Sequence, residues 1–345
     1  MAQTTKEKVL DFLISNRENS ISGEELAKDC GVTRTAIWKA ISSLRNDGFE
    51  IEGTTNGGYI FKDIGDAVSV PLFSFCLSEK YPQFKNSIVE CFKEIDSTNS
   101  YAKRLLAKAG SIYSADGSLS ESGKKLKDSI YVAESQSQGR GRMGRIFYSP
   151  EKSGIYLSVI YAPKGGIKNP AKVTAFAAVA TSRAIKKVCG IEPKIKWIND
   201  LFFNGKKICG ILAEGITNFE TGTIEAAVVG MGINIVDNFE DFPDEVKQVA
   251  GSIGKKVPRC RLAAAVAGEF LSIFDENPKN VINEYKEKSF LIGKNVKIQP
   301  IASTEDGSYF AKALDIDDEA ALVVELADGK RISLSTGEVR VFQES

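Results

Sequence analysis

The sequence predicts a multidomain α+β chain with a winged helix-turn-helix first, a mixed α/β core next and a small SH3-like β-barrel last. Three observations carry that reading. The hydrophobic period is helical through most of residues 1–62, mixed to about residue 290, and strand-like from Gly293 onward. A chain of 345 residues exceeds what one core usually holds. Its composition, 43% hydrophobic and 26% charged, is that of an ordinary globular protein, so folded domains are expected throughout.

The first predicted helix carries Val9, Leu10, Phe12 and Leu13 on one side. The second follows Ser22, with Glu25 three residues on as a capping box, and closes near Cys30-Gly31. The third runs from Thr33 to about Asn46, and Gly48 stops it. Phe49–Glu52 and Tyr59–Lys62 then alternate around Gly53–Gly58 as a two-stranded wing. In the third helix Ile37, Ile41 and Leu44 share one face, while Thr35, Lys39, Ser42 and Asn46 share the other, flanked by Arg34, Trp38 and Arg45. Short polar groups between long cations suit base edges and phosphates, so Arg34, Thr35, Trp38, Lys39, Ser42 and Arg45 are the DNA-binding candidates. A plain helical interaction module is the alternative. Residues 1–65 hold 8 Lys/Arg against 10 Asp/Glu, so DNA binding must rest on a local patch and on dimerisation.

After a linker around Asp63–Pro71, strands are expected at Ile130–Glu134, Gly154–Tyr161, Lys194–Trp197, Lys207–Glu214 and Thr223–Ile235. Helices are expected at Thr98–Lys108, Ala171–Val188, Pro258–Phe274 and Asn280–Glu287. The polar, Gly/Ser-rich stretch Ser114–Lys125 reads as a mobile surface insertion without chemistry. The last strands are Asn295–Pro300, Ser308–Asp315, Ala321–Leu326, Arg331–Leu334 and Glu338–Phe342, with turns at Glu305-Asp-Gly307 and Ala327-Asp-Gly329. The domains are therefore 1–65, 66–290 and 291–345.

Several function classes fall away. Lys plus Arg is 45, Asp plus Glu is 45, and there is no histidine. That zero excludes Ser-His-Asp and Cys-His catalysis and His-ligated zinc. The neutral balance argues against a generic polyanion-coating protein. The six cysteines form no C-x-x-C pair and read as small core residues in a reducing compartment. The N-terminus holds no uninterrupted signal-length apolar core and no stretch can span a bilayer, which predicts a cytoplasmic protein without a membrane partner.

The most unusual stretch is Gln136-Ser-Gln-Gly139-Arg140-Gly141-Arg142-Met-Gly144-Arg145. Glycines let backbone N–H groups approach a ligand, and alternating guanidinium groups make bidentate contacts to phosphate or carboxylate. Like charges and glycine together make such a loop expected to be disordered when empty. An RNA-binding Arg-Gly tract would be longer and of low complexity. Lys196, in Ile195-Lys-Trp-Ile-Asn-Asp200, lies mid-strand among apolar neighbours. It either snorkels or points into a site where an anion compensates it. Asp96-Ser-Thr-Asn99 precedes a helix as an N-cap, and Gly230-Met-Gly232-Ile-Asn234 ends a buried strand where close ligand approach would require glycine.

These motifs in this order resemble the bifunctional biotin protein ligase/biotin operon repressor family, across essentially the whole chain. The resemblance implies a class II synthetase-like core that activates biotin with MgATP to biotinyl-5′-adenylate, then transfers biotin to a lysine of biotin carboxyl carrier protein. It also implies an adenylate-bound homodimer on a palindromic operator. Carried over, Ser97, Thr98 and Asn99 would contact biotin, and Gln136, Arg140, Gly141 and Arg142 would close over biotin and the adenylate phosphate. Lys196 would bridge carboxylate and α-phosphate, so Lys196, Arg140 and Arg142 are the catalytic candidates. Gly232 and Asn234 would line the nucleotide side, and Glu338 would reach back from the C-terminal domain. Residues meeting Mg2+ stay open. Two departures stand out: Ile198 replaces the usual proline after Lys-Trp, and Ile146-Phe147-Tyr148 replaces a tryptophan near Ser-Pro. A ligand-sensing transcription factor on a degenerate core, or a lipoate or octanoate ligase on the related fold, are the competing readings.

Overall fold

The computed structural model describes residues 4–342 except 18, 55–56, 115, 219–221, 241 and 301–306. Three helices open the chain: α1 (Thr5–Ser15), α2 (Gly23–Cys30) and α3 (Arg34–Asn46). Ser22 caps α2 by accepting from the Glu25 amide, while the full reciprocal capping box stands at Thr4 and Glu7 on α1. Val9, Leu13, Leu26, Ile37, Ile41 and Leu44 close the small core between them. The wing is the antiparallel pair β1 (Phe49–Thr54) and β2 (Gly58–Ile64).

The expected linker at Asp63–Pro71 is instead packed structure. Ile64 ends β2, and Val70 begins a buried helix, α4 (Val70–Lys80), with Pro71 in its first turn. Gly65 donates to the Gly48 carbonyl (2.7 Å), Ser69 to the Asp47 carbonyl (2.8 Å) and the Val68 amide to Glu134 (3.2 Å). Gly48 sits at φ +103°, and a Cβ there would come within 2.7 Å of Ala67 and Leu72. From α9 (Arg259–Ser272), the buried Arg259 reaches the Asp66 carboxylate (2.9 Å) and carbonyl (2.6 Å), and Arg261 pairs with Asp63 (2.5 Å). Polar residues chosen for bonding to another domain look like linker composition in one dimension.

The core is a seven-stranded sheet in the order β3-β4-β5-β9-β8-β7-β6, parallel only between its first two strands. Its strands are β3 (Val89–Ile95), β4 (Ile130–Gln136), β5 (Gly154–Tyr161), β6 (Lys194–Lys196), β7 (Asp200–Phe203), β8 (Lys206–Thr217) and β9 (Ile224–Asn234). On one face α7 (Pro170–Cys189) and α9 bury Ile155, Leu157 and Val159. On the other, α5 (Thr98–Ala109) packs Ala102 and Leu106 against Tyr131, Ile160 and Val228. The insertion Ser114–Lys125 is not featureless: Tyr113 bridges Leu119, and a short helix, α6 (Glu121–Leu126), follows Ser120. Its Gly123 lies so close to the Ile112 carbonyl that a Cβ would fall 2.0 Å from it.

Two helices, α8 (Asp244–Val249) and α10 (Pro278–Lys288), complete the core region. The C-terminal part is a five-stranded antiparallel sheet of β10 (Asn295–Gln299), β11 (Tyr309–Ile316), β12 (Leu322–Leu326), β13 (Arg331–Leu334) and β14 (Glu338–Val341). Its order is β13-β12-β11-β10-β14, and among the described residues its outer strands do not pair, so the sheet is open. The turn at Ala327-Asp-Gly329 is present. Of the other expected turn, Glu305 and Asp306 lie outside the described residues.

Candidate active site and nucleic-acid interface

A cavity of about 720 Å³ opens over the glycine-rich middle of the sheet. Register builds its floor in rows: Asp200, Gly210, Gly232 and Tyr156 stand opposite one another, as do Leu212, Gly230 and Ser158. The glycines permit close approach, as expected, but to the protein's own side chains. A Cβ on Gly232 would fall 2.4 Å from the Phe147 ring, and one on Gly230 would fall 2.2 Å from Asn99 Oδ1. Phe147 is the aromatic of the altered Ile-Phe-Tyr segment, laid on the floor.

One wall is the N-terminus of α5. Ser97 caps the helix, and Ser97, Thr98 and Asn99 are all buried. Thr98 donates from its amide (2.9 Å) and hydroxyl (3.2 Å) to Gln136 Oε1, whose Nε2 donates to Ser149 (2.9 Å). Asn99 Nδ2 donates to the Leu212 carbonyl (3.2 Å) and to Glu214 (3.0 Å), and Ser158 Oγ lies 2.6 Å from Asn99 Oδ1. The short cap sequence is thus both helix start and cavity wall.

The Arg-Gly loop forms the opposite wall. Gly141 donates to the Arg145 carbonyl (2.7 Å), and Arg140 bridges Ile146. Each arginine has oxygen waiting for it. Arg142 donates to Asn199 Oδ1 (3.1 Å) and the Gly337 carbonyl (3.3 Å), Arg145 pairs with Glu338 (2.5 Å), and Arg140 lies 3.6 Å from Glu214. Glu214 also pairs with Lys103 (2.8 Å). Burial works to raise the Glu214 and Glu338 carboxyls, but bonds from Lys103 and Asn99 on the first, and from Arg145 on the second, hold both below the ordinary carboxylate range.

Lys196 is different. It enters the cavity opposite Asp200 in register, yet Asp200 pairs with Lys207 (2.7 Å). Among the described residues the Lys196 side chain makes no ion pair or hydrogen bond; its Nζ lies 5.7 Å from the centre of the Phe202 ring. Burial lowers its pKa, with Lys207 and Arg340 adding to that and Asp200 opposing it. An anion entering here meets a cation short of a partner. Beside it, Trp197 donates to the Ala320 carbonyl (3.0 Å), and the Trp197–Ile198 peptide is cis where the family usually has proline.

Ser97, Thr98, Asn99, Gln136, Arg140, Gly141, Arg142, Lys196 and Gly232 therefore line one cavity, and Glu338 joins them from β14. Asn234 does not line it; its amide donates to the Gly251 carbonyl (3.0 Å). Sequence reasoning missed Asn199 and Glu214 as partners of the arginines. Only the period of β8, which puts Gly210, Leu212 and Glu214 on one face, signalled the second. No group of three or more Cys, Asp or Glu placed to hold a metal ion stands among the described residues.

On α3 the outward face is bare. Arg34, Thr35, Trp38, Lys39 and Arg45 are exposed and Ser42 is half-buried. Arg45 donates to the Ile51 carbonyl (2.8 Å), tying helix to wing. Trp38 is 61% exposed.

A helix-turn-helix joined to a ligase-type sheet and a C-terminal β domain is what three family matches describe. Residues 5–60 match the HTH domain family, 114–234 the Biotin/lipoate A/B protein ligase family and 291–341 the Biotin protein ligase C terminal domain family. A bifunctional ligase/repressor BirA from Bacillus spizizenii is 30% identical over 344 residues, covering 95% of this chain and 96% of that protein. The one from Escherichia coli is 27% identical over 310 residues, covering 88% of each. A biotin protein ligase from Aquifex aeolicus, solved with biotin and ATP, shares the fold with TM-score 0.56 and 22% identity over 74% of this chain and 99% of that one. The chain belongs to the bifunctional ligase/repressor BirA family.

Proposed function

We propose that this protein is a biotin–[biotin carboxyl-carrier protein] ligase and biotin operon repressor, working in the cytoplasm. Among the described residues no helix is long and apolar enough to cross a membrane. The observation that carries the ligase reading is the cavity itself. Separate segments of the chain bring the Arg-Gly loop, the α5 cap and the unpartnered Lys196 to one place. We divide the chain into domains 1–65, 66–290 and 291–345, with a class II synthetase-like core and an SH3-like last domain.

In the first half-reaction a biotin carboxylate oxygen bonds to the α-phosphorus of ATP, and the bond to the pyrophosphate oxygen breaks. Negative charge gathers on the phosphoryl oxygens. Lys196, Arg140 and Arg142 meet that charge from fixed positions, which lowers the barrier without reorganisation. Ser97, Thr98, Asn99, Gln136 and Gly141 hold biotin, and Gly232 keeps the floor flat. In the second half-reaction a lysine amine of the carrier protein attacks the acyl carbon, AMP leaves, and the amine loses a proton. No step needs imidazole. With adenylate bound, two copies pair on a palindromic operator, where Arg34, Thr35, Trp38, Lys39, Ser42 and Arg45 face the duplex.

The test is exchange of labelled pyrophosphate into ATP with biotin as the sole acid. Exchange with biotin and none with lipoate or octanoate supports the reading. Exchange with lipoate alone, or none with any acid, overturns it. For the repressor half, a palindromic operator should shift only when biotin and ATP, or the adenylate, are supplied.

A further inference from the structure

The chain holds two tryptophans, and they are opposites. Trp197 is 3% exposed and hydrogen-bonded to Ala320, whereas Trp38 is 61% exposed on α3. Trp38 is the fifth residue of that helix, in the N-terminal half that a helix-turn-helix presents to base edges. The same helix buries Ile37, Ala40, Ile41 and Leu44, so its inward stripe is complete without the indole. Arg34 and Lys39, both exposed, flank it, and Arg45 stands two turns along the same stripe. Cations around the ring suit a polyanion, not an apolar protein partner.

An indole has a broad apolar face and a single N–H donor. In the major groove the one apolar feature among base edges is the 5-methyl group of thymine. We infer that Trp38 reads a thymine methyl in each operator half-site, and so sets base preference at that position. This deepens the repressor reading and rests on it. Arg34 and Lys39 would supply affinity without preference, while Trp38 supplies preference through apolar contact.

The experiment starts with wild-type protein plus biotin and ATP, used to select duplexes from a random palindromic library. Each thymine of the selected half-site is then replaced in turn by deoxyuridine, which removes the methyl and keeps every base-pair hydrogen bond. One position should weaken wild-type binding about fourfold per half-site, the worth of one buried methyl group. Trp38→Ala should show no further loss at that position and should select either pyrimidine there, whereas Trp38→Phe should keep part of the preference. Emission from Trp38 should be quenched by the selected duplex, with Trp197 left as the unquenched remainder. Circular dichroism of each variant checks the fold, which a surface site should leave intact. Two results overturn the inference: wild type indifferent to every deoxyuridine, or Trp38→Ala weakened equally on all duplexes. A wild type that binds no duplex in the presence of ligand overturns the repressor reading itself, a different and recognisable failure.

Discussion

The cavity and the outer face of α3 both depend on cations, but they hold them in opposite ways. In the cavity Arg142, Arg145 and Lys207 are each fixed by an oxygen at 2.5–3.1 Å, and Lys196 is half-buried beside them. On α3, the Arg34 and Lys39 side chains make no ion pair or hydrogen bond among the described residues, and both are exposed. Fixed charge suits a transition state, because nothing has to move when charge develops. Free charge suits a duplex, because contact releases counterions and the side chains adapt to phosphate spacing.

The comparison breaks most visibly at Arg142. Arg142→Ala should lower biotin-dependent pyrophosphate exchange about 10²–10³-fold, and wild-type exchange in that variant would remove the loop from catalysis. Lys196→Ala should come next, at about 10²-fold. For wild type the charged form of Lys196 is the working one, so exchange should fall as pH rises through its folded pKa. That pKa is lowered, so the alkaline limb in kcat/KM for biotin should set in below 10.5. A limb at or above 10.5 would mean that burial does not govern this lysine. Gly232→Ala should push on the Phe147 ring and raise KM for ATP about tenfold, with a smaller effect on KM for biotin. The smallest effect should be at Lys39. Lys39→Ala should weaken all duplexes alike and reduce the slope of log affinity against log salt by about 1 per half-site. A slope that stays unchanged would show Lys39 to be held as firmly as the cavity arginines.

What was legible in the sequence follows the same division. Local signals gave the cap within Asp96–Asn99, the wing to within two residues, and the strands Gly154–Tyr161 and Arg331–Leu334 to the residue. Periods of two and 3.6 act within one segment, and so do glycine stops. The helix Val70–Lys80 and strand Val89–Ile95 were not legible. The first is apolar nearly all round because it is clamped between two domains, and the second is a half-covered edge strand with weak alternation. Asn234 shows the limit of motif transfer: its place in Gly-x-Gly-Ile-Asn is right, yet its amide serves Gly251. The partners of the Arg-Gly loop were illegible for a simple reason. Asn199, Glu214 and Glu338, which quiet its charges, lie from 57 to 193 residues away in the chain.

The clamp at Asp63–Ser69 has a consequence for how the DNA-binding heads are carried. Ser69 bonds the Asp47 carbonyl, Arg261 pairs with Asp63, and the Phe75 ring packs on Phe49 and Phe61, so the head is held against the ligase core. In the proposed pair of such molecules on an operator, heads held this way would keep their recognition helices at a set separation. The protein is then a caliper. About five base pairs inserted between half-sites would turn one of them to the far side of the duplex, where no stretch of tether could follow it.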